Sequence, residues 1–309
     1  MNDLLEKLAR AREVSWQHHG KRLEVFLPGM FVAYGERGRY PAVSITGRDC
    51  GQGCKHCGGT LLDTMHQAKG AEALLEKGLA LWEAGNLGIL LSGGNTKGGR
   101  LPWEEALPAI RELSQRTGLI ITAHVGRIDP DTARRLKDAG VRQALLDVVG
   151  DPKTAREILN LPDGLAAQEE SLAACQAAGL ELVPHVIVGL HGGAIRGERA
   201  AVMRVAGFNP RTLVFVVFMP LKGTELAKAV PSTPEEVAEL LAWAREVLPQ
   251  ARHHLGCARP RGDWRRRMDR LAVLAGVNAL ALPSDAALDT AKELGLEVGR
   301  FATCCSVAA

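Results

Sequence analysis

The sequence predicts an α/β fold, a closed (β/α)8 barrel of the TIM type, because short apolar runs alternate with helical patterns along most of the chain. Proline stands near three of the predicted helix starts, at Pro130, Pro152 and Pro234. Glycine follows four of the helical patterns as an expected C-cap, at Gly85, Gly140, Gly179 and Gly295. The alternation favours parallel pairing, and an open doubly wound sheet is the alternative that it leaves.

The predicted strands are the apolar, β-branched runs at residues 41–46, 87–91, 119–125, 143–149, 182–190, 213–219, 251–257 and 277–282. The helical patterns between them cover residues 68–84, 102–117, 131–139, 166–178, 234–247, 264–275 and 286–294. We assign residues 1–36 to an N-terminal helix and arm outside the barrel. Residues 37–309 are assigned to the barrel and a short C-terminal tail that carries cysteine.

The composition fits an enzyme domain with a large core, since 46% of the 309 residues are hydrophobic and 24% are charged. A net charge of +3 and an aromatic content of 4% argue against a nucleic-acid partner. The N-terminus is charged, and no apolar stretch approaches the roughly 18 residues of a membrane span, so we expect no membrane association. Seven cysteines without an export signal indicate metal or redox work in a reducing cytoplasm.

Three cysteines stand close together in a C-x3-C-x2-C pattern, formed by Cys50, Cys54 and Cys57. A tight loop with glycine lets three such thiolates converge on one iron–sulfur cluster, and this loop follows the first predicted strand. Three protein ligands leave one iron of a 4Fe–4S cluster open to a substrate or cosubstrate. A structural zinc site usually has two C-x2-C pairs, and a disulfide leaves one cysteine unpaired, so both alternatives fit less well.

This spacing resembles the signature of the radical S-adenosylmethionine (SAM) superfamily. The resemblance implies that the open iron binds the amino and carboxylate groups of SAM, and that reductive cleavage of SAM releases a 5′-deoxyadenosyl radical. It also implies an electron donor such as ferredoxin or flavodoxin. The expected cofactors are therefore SAM and a SAM-binding 4Fe–4S cluster.

Two further segments resemble SAM-binding elements of that superfamily. Gly93, Gly94 and Asn95 follow the second predicted strand, like the GGE element that holds the SAM amino group, although asparagine replaces the glutamate. Ile187 and Gly189 resemble the centre of the GxIxGxxE element that binds adenine. A plain strand-to-loop turn is the alternative for the first segment.

Polar side chains end or interrupt three other predicted strands, at His124, Asp147 and His185. Asp147 follows an apolar run and resembles the polar residue that biotin synthase-like enzymes place near the SAM ribose. A helix N-cap or a pairing with a barrel arginine is the alternative for Asp147. For His124 and His185 we favour hydrogen-bonded core histidines.

A second cysteine set is expected at the barrel mouth. Cys257 ends the seventh predicted strand, while Cys304 and Cys305 lie in the C-terminal tail. A tail that folds over the mouth brings these thiolates together around an auxiliary iron–sulfur cluster, with Ser306, an arginine, an external ligand or sulfide on the remaining iron. Three free thiols, or a vicinal disulfide in the tail, are the alternatives. Cys175 lies in an alanine-rich helical pattern and is interpreted as a packed apolar residue.

Residues 45–282 resemble the biotin synthase branch of the superfamily. Residues 222–224 (Lys-Gly-Thr), Arg261 and residues 275–278 (Ala-Gly-Val-Asn) carry this resemblance. The chain lacks the strand-borne cysteines of biotin synthase, which argues against biotin synthase itself. Its cluster loop and its cysteine-bearing tail look closer to two-component lipoyl synthases of the LipS type.

The LipS-type resemblance implies sulfur insertion into C–H bonds of an octanoyl chain on a carrier protein, together with a second LipS-type component. The alternatives are another biotin synthase-like reaction, such as cofactor maturation or methylation, and a non-catalytic iron–sulfur protein. An acidic carrier domain is expected to dock on an arginine cluster, which is otherwise the solvated face of a helix. The cluster comprises Arg259, Arg261, Arg265, Arg266, Arg267 and Arg270.

Overall fold

The computed structural model describes residues 2–33 and 35–307, in which helices surround one curled parallel sheet. The chain begins with helix α1 (Asn2–His19), strand β1 (Arg22–Phe26) and a hairpin of β2 (Val32–Ala33) with β3 (Glu36–Arg37). The later strands are β4 (Ala42–Ser44), β5 (His66–Gln67), β6 (Gly88–Ser92), β7 (Ile120–His124), β8 (Gln143–Val148), β9 (Glu181–Val188), β10 (Thr212–Val217), β11 (Arg252–Leu255), β12 (Ala279–Ala281) and β13 (Glu297–Phe301). The later helices are α2 (Ala71–Glu83), α3 (Trp103–Arg116), α4 (Pro130–Asp138), α5 (Pro152–Glu157), α6 (Gly164–Ala177), α7 (Glu198–Ala206), α8 (Pro234–Val247), α9 (Asp263–Leu274) and α10 (Asp285–Glu293).

The predicted strands and helical patterns all form, and their boundary residues behave as expected. Proline occupies the first turn of α4, α5 and α8, where its missing N–H costs no helical hydrogen bond. The four glycines predicted as C-caps follow α2, α4, α6 and α10, and their positive φ angles of 66° to 105° end these helices. Two short helices, α5 and α7, and the edge strand β13 were not predicted, because their segments lack a long apolar period.

The strand order is β13-β1-β12-β11-β10-β9-β8-β7-β6-β4-β5, with parallel pairing throughout this sheet. The loops that follow the strands therefore gather on one rim of the barrel. Register aligns Asp147 with His185, His185 with Val214, and Val214 with His254. Paired residues of parallel strands point to the same face, so these four side chains form one row across the barrel interior.

Two details of the predicted architecture need correction. The segment Arg22–Phe26 was expected outside the barrel, yet it pairs with β12 and β13 as β1, because its apolar residues need a covered surface. The α/β barrel fold is confirmed, but the strand order has two ends, so the ring of strands stays open in the described part of the chain.

The seam of the open ring lies between β13 at one end of the sheet and the paired strands β4 and β5 at the other. There the Arg39 N–H donates to the Ala302 carbonyl (2.7 Å), and the Leu87 N–H donates to the Arg39 carbonyl (2.8 Å). After β13 the chain turns into the barrel, where Cys305 is buried.

The buried apolar side chains form a large layer between the sheet and the helices and a smaller one inside the curl. The inner layer contains Phe26, Leu145, Val183 and Val214, and Cys305 of the tail packs on it. The tail thus fills part of the barrel interior and lies under the rim. Among residues 2–33 and 35–307, no helix is long and apolar enough to cross a membrane.

Candidate functional site

The loop after β4 presents Cys50, Cys54 and Cys57 to one cavity of about 220 Å³ at the rim of the barrel. The loop turns sharply, with φ of 65° at Gly53 and 82° at Gly59, which are angles that favour glycine. Backbone bonds to the Cys54 carbonyl, from Cys57 N at 3.3 Å and from Gly58 N at 2.8 Å, close the last turn. The sequence motif therefore forms the convergent loop that was predicted from its spacing.

Neighbouring loops hold this cysteine loop in place. The Gln52 amide donates to the Leu159 carbonyl (2.9 Å), and the Asn95 amide donates to Gln52 Oε1 (2.8 Å). Asn160 donates to the carbonyls of Gln52 (3.0 Å) and Gly53 (2.6 Å). The loops after β6 and β8 thus fix the loop after β4. Sequence reasoning named Asn95 only as a SAM-binding candidate, and it missed Gln52 and Asn160 because ordinary amide residues carry no motif signal.

The thiols of the loop are electrostatically linked. A hydrogen bond from Cys54, assisted by His56, lowers the pKa of Cys57 to about 4, and the same bond together with burial raises the pKa of Cys54. No three His, Cys, Asp or Glu side chains in the described residues are arranged to hold a single metal ion. Three cysteines around a shared cavity instead fit a larger multi-iron cluster, which thiolates bind.

Gly93 and Gly94 follow β6 beside the cysteine loop. A Cβ atom at Gly94 would lie 2.0 Å from the Asp49 carbonyl oxygen and 2.6 Å from Cys50 Cα, so no larger residue fits there. The Gly94 N–H donates to Thr46 Oγ1 at 2.7 Å. Glycine at position 94 therefore lets the cysteine loop lie directly against the end of β6.

Asn95 also lines the cavity, and its side chain is only partly paired. Its Nδ2 donates to Gln52, whereas its buried Oδ1 has no partner within the protein. A buried acceptor left without a donor is costly, and it marks a place where a bound ligand can donate. Asn95 lies in the same cavity as Cys50 and Cys57.

Asp147 and His124 face the same cavity from inside the barrel. Asp147 is exposed to the open cavity, but the surrounding protein desolvates its carboxyl group and raises its pKa, although nearby His185 and His56 oppose the rise. Burial lowers the pKa of His124 to about 4, and burial with His124 as neighbour lowers the pKa of His185 to about 4. The His124 and His185 rings lie 5.0 Å apart, so His185 packs against His124, which lines the cavity together with Asp147.

The two predicted adenine-binding residues, Ile187 and Gly189, differ in their positions relative to the cavity. Ile187 lines the cavity, but the lining does not include Gly189 among the described residues. The Gly189 N–H donates to Glu198 Oε1 (2.8 Å), and Glu198 Oε2 accepts from Arg196 N (2.7 Å) and Gly197 N (3.0 Å). The buried Glu198 thus holds the loop after β9, a role that sequence reasoning did not assign.

The second cysteine set is assembled from distant parts of the chain. The tail turns after β13, with Val307 N donating to the Cys304 carbonyl at 3.0 Å, and Cys257 and Cys304 pack on the inner layer that contains Cys305. A hydrogen bond from Cys305 lowers the pKa of Cys304 to about 6, while that bond and burial raise the pKa of Cys305. Burial raises the pKa of Cys257 to about 11, and the charge of Cys304 adds to the rise, so the tail lies within electrostatic reach of Cys257.

Arg259 fixes the loop that carries Cys257. Its guanidinium group is fully buried and bonds Asp269 through Nε (2.8 Å) and Nη2 (3.1 Å). It also donates to the carbonyls of Gly256 (2.7 Å), Ala281 (2.8 Å) and Leu282 (3.1 Å). Every donor of the group is thereby used, which excludes Arg259 from the expected carrier surface.

The remaining arginines divide into inward and outward groups. Arg265 is half-buried and donates to the carbonyls of Cys257 (3.4 Å) and Arg259 (3.2 Å). Arg267 is exposed and pairs with Glu235 across to α8. The other three side chains are exposed, namely Arg261, Arg266 and Arg270.

Comparison with known proteins matches this site to one family. A family model described as the Radical SAM superfamily matches residues 44–196, from the last residue of β4 to the loop before α7. Residues 44–196 of the chain belong to the radical SAM superfamily. The matched segment contains Cys50, Cys54 and Cys57, whereas Cys257, Cys304 and Cys305 lie beyond it.

Curated relatives of this radical SAM protein are biotin synthases at low identity. The biotin synthase of Zymomonas mobilis is 29% identical over 158 residues, which cover 50% of this chain and 46% of that protein. The biotin synthase of Pelotomaculum thermopropionicum is 31% identical over 181 residues, or 58% of this chain and 54% of that protein. The chain thus spans about half the length of the curated relatives it matches.

Solved structures share the fold over nearly the whole chain. HydG, a maturase of the FeFe-hydrogenase, has a TM-score of 0.68 at 14% identity and covers 96% of this chain and 68% of its own. Methylornithine synthase, PylB, has a TM-score of 0.65 at 15% identity and covers 97% of this chain and 90% of its own. Identities this low establish a common fold and carry no argument about the reaction.

Proposed function

We propose that this protein is a radical SAM enzyme that inserts sulfur into an octanoyl chain on a carrier protein, forming the lipoyl cofactor with a second LipS-type component. The observation that carries the proposal is the placement of two separate cysteine sets in one barrel. One set lies on the loop after β4, and the other joins Cys257 to the tail. Sulfur insertion at an unactivated C–H bond needs both a radical initiator and a sulfur donor, and two sets offer one site for each.

Cys50, Cys54 and Cys57 would hold the first cluster, a 4Fe–4S cluster with one open iron. When bound with SAM, this cluster supplies a 5′-deoxyadenosyl radical. The unpaired Oδ1 of Asn95 is available to the SAM ammonium group, and Asp147 is available to the ribose hydroxyls. Ile187 offers apolar surface to the adenine, while Gly93, Gly94 and Gly189 act by holding the loops in position.

Cys257, Cys304 and Cys305 would hold an auxiliary iron–sulfur cluster, which supplies sulfide to the substrate. For each new C–S bond, one SAM and one electron from a ferredoxin or flavodoxin yield methionine and 5′-deoxyadenosine, which carries away the substrate hydrogen. When bound, the auxiliary cluster would supply the sulfur and take up the one electron that is released as the C–S bond forms. Cys305 of this set is buried inside the barrel, and Cys257 and Cys304 are half-buried.

The octanoylated carrier domain is proposed to dock on the outward arginines, Arg261, Arg266 and Arg270. Arg261 lies in the loop that follows β11, and Arg266 and Arg270 lie on α9, which begins after that loop. An acidic domain bound to these charges would lie beside the rim that carries the cavity. A cytoplasmic location would supply the reducing conditions that free thiols and their clusters need.

Iron and sulfide content of the anaerobically reconstituted protein tests the two-cluster proposal. The wild type is expected to hold about eight irons, and the variant with alanine at positions 50, 54 and 57 about four, the content of one cubane cluster. An iron-free triple variant would contradict the auxiliary cluster.

A turnover assay tests whether a protein-bound octanoyl chain is the substrate. An octanoylated carrier domain and an octanoyl-lysine peptide are each incubated with the protein, the LipS-type partner, SAM and reductant. Thio-octanoyl product from either one supports the proposal. If SAM is cleaved but neither substrate gains sulfur, the lipoyl assignment fails.

Another biotin synthase-like reaction is the second candidate, and a specific observation favours it. The cavity is lined by Asp147 and His124, and such polar groups suit a substrate that has hydrogen-bonding groups of its own. An alkyl chain leaves these groups without partners if SAM does not reach them. A non-catalytic iron–sulfur protein is distinguished by SAM cleavage, which it does not perform.

A further inference from the structure

His254 links the barrel wall to the cysteine tail. Its Nδ1 lies 2.6 Å from the Cys305 carbonyl oxygen, at the centre of the tail turn. A carbonyl oxygen only accepts hydrogen bonds, so Nδ1 carries the hydrogen and donates. His254 and Ser306 are fully buried and Cys305 is 3% exposed, so water does not replace this bond if it is lost.

The ring of His254 is itself held in one orientation. It stacks on Phe26 with ring centroids 6.2 Å apart, and Phe26 stacks on Phe301 at 5.3 Å. Phe301 is the last residue of β13, three positions before Cys304. The imidazole of β11 therefore reaches, through Phe26, the end of β13, which is the strand that leads into the tail.

This arrangement couples the two halves of the second cysteine set. His254 lies on β11, and Cys257 follows the same strand three residues later. A hydrogen bond from β11 to the Cys305 carbonyl thus sets the distance between the tail turn and the Cys257 loop. Strand β13 alone reaches only to Phe301, which leaves the turn at 304–307 to be fixed by other contacts.

We propose that His254 is the positioning residue that holds Cys304 and Cys305 opposite Cys257 and so makes the auxiliary iron–sulfur site. The iron part of this inference rests on the proposed function, whereas the anchoring of the tail does not. His254 contacts no substrate in this role and acts through the backbone of the tail.

The test compares two substitutions of nearly the same shape. His254→Leu removes the donor, whereas His254→Asn keeps an N–H near the Nδ1 position. His253→Leu is the matched control, since His253 is equally buried on the same strand but packs on Phe215 and not on the tail. Hydrogen exchange of peptides covering residues 301–307 and iron content are measured on the reconstituted full chain.

In the His254→Leu variant we expect the tail amides to exchange about tenfold faster or more, and iron to fall from about eight to about four per chain. The His254→Asn and His253→Leu variants should keep the slow exchange and the iron of the wild type. Wild-type tail exchange in His254→Leu, or equal loosening in the Leu and Asn variants, overturns the proposal. If His254→Leu does not fold, His254→Phe takes its place with the same expectations.

The two proposals fail separately in this experiment. A wild type with only about four irons refutes the auxiliary cluster. Tail exchange still decides the role of His254 in that case, because it is read from the backbone and not from the metal.

Discussion

The two cysteine sets of this barrel are built in opposite ways. Cys50, Cys54 and Cys57 come from one short loop whose shape depends on its own glycines and on amides from adjacent loops. Cys257, Cys304 and Cys305 come from two segments about fifty residues apart in the chain, joined by a buried histidine and a stacked pair of aromatic rings. The first set is therefore a local motif, and the second exists only after the sheet has formed.

The largest expected effect comes from removing one cysteine of the loop after β4. Replacing Cys50, Cys54 or Cys57 singly with alanine should abolish cleavage of SAM to 5′-deoxyadenosine, because two thiolates do not hold the cluster that the reaction needs. Product is measured by chromatography after anaerobic reduction. Cys175→Ala is the control, since Cys175 is buried in α6, far from both sets in the packing. Undiminished cleavage in all three single variants refutes the assignment.

Gly94→Ala tests how closely the cysteine loop must lie against β6. The new Cβ would lie 2.0 Å from the Asp49 carbonyl, so the loop must move, and a displacement of about 1 Å is expected to cost roughly 100-fold in SAM cleavage. Gly51→Ala, whose Cβ would meet its nearest atoms at an ordinary 3.6 Å, should lose little activity. Equal rates for the two variants would show that the contact is not needed.

The loop that carries Cys257 is held by the buried ion pair of Arg259 with Asp269, which the substitution Arg259→Met breaks. Arg259 and Asp269 are both fully buried, so removing one partner should lower the free energy of unfolding by about 3–5 kcal/mol. Arg267→Met removes an exposed pair with Glu235 and should cost about 0–1 kcal/mol. Urea denaturation under anaerobic conditions measures both. A loss for Arg259→Met no larger than that of the control would mean that this pair does not stabilise the Cys257 loop.

The smallest expected effect concerns the exposed arginines that follow Cys257 in the chain. Replacing Arg261, Arg266 and Arg270 together with glutamine should raise KM for an octanoylated carrier about threefold to tenfold at low salt. The salt dependence of KM should flatten as well, because exposed charges are screened as ionic strength rises. Arg116→Gln, at the far end of α3, serves as the surface control. A salt dependence that stays unchanged in the triple variant would place the carrier elsewhere.

Short-range features of this protein follow from the sequence alone. The alternation of apolar runs and helical patterns predicts the eight inner strands, and Pro130 or Gly140 marks an element end because each acts through its own backbone angles. The C-x3-C-x2-C spacing predicts a convergent loop for the same reason, since few bonds separate the three thiolates.

Only the tertiary structure decides the long-range features. Four features depend on which distant surfaces bury each other. They are the placement of β1 between β12 and β13, the open seam, the pairing of every Arg259 donor within the core, and the bond from His254 to the tail. Glu198 and Asn160 carry no motif, yet their side chains satisfy backbone groups of the loops that shape the cavity. Burial and hydrogen-bond satisfaction are properties of the assembled chain, so no local pattern of residues encodes them.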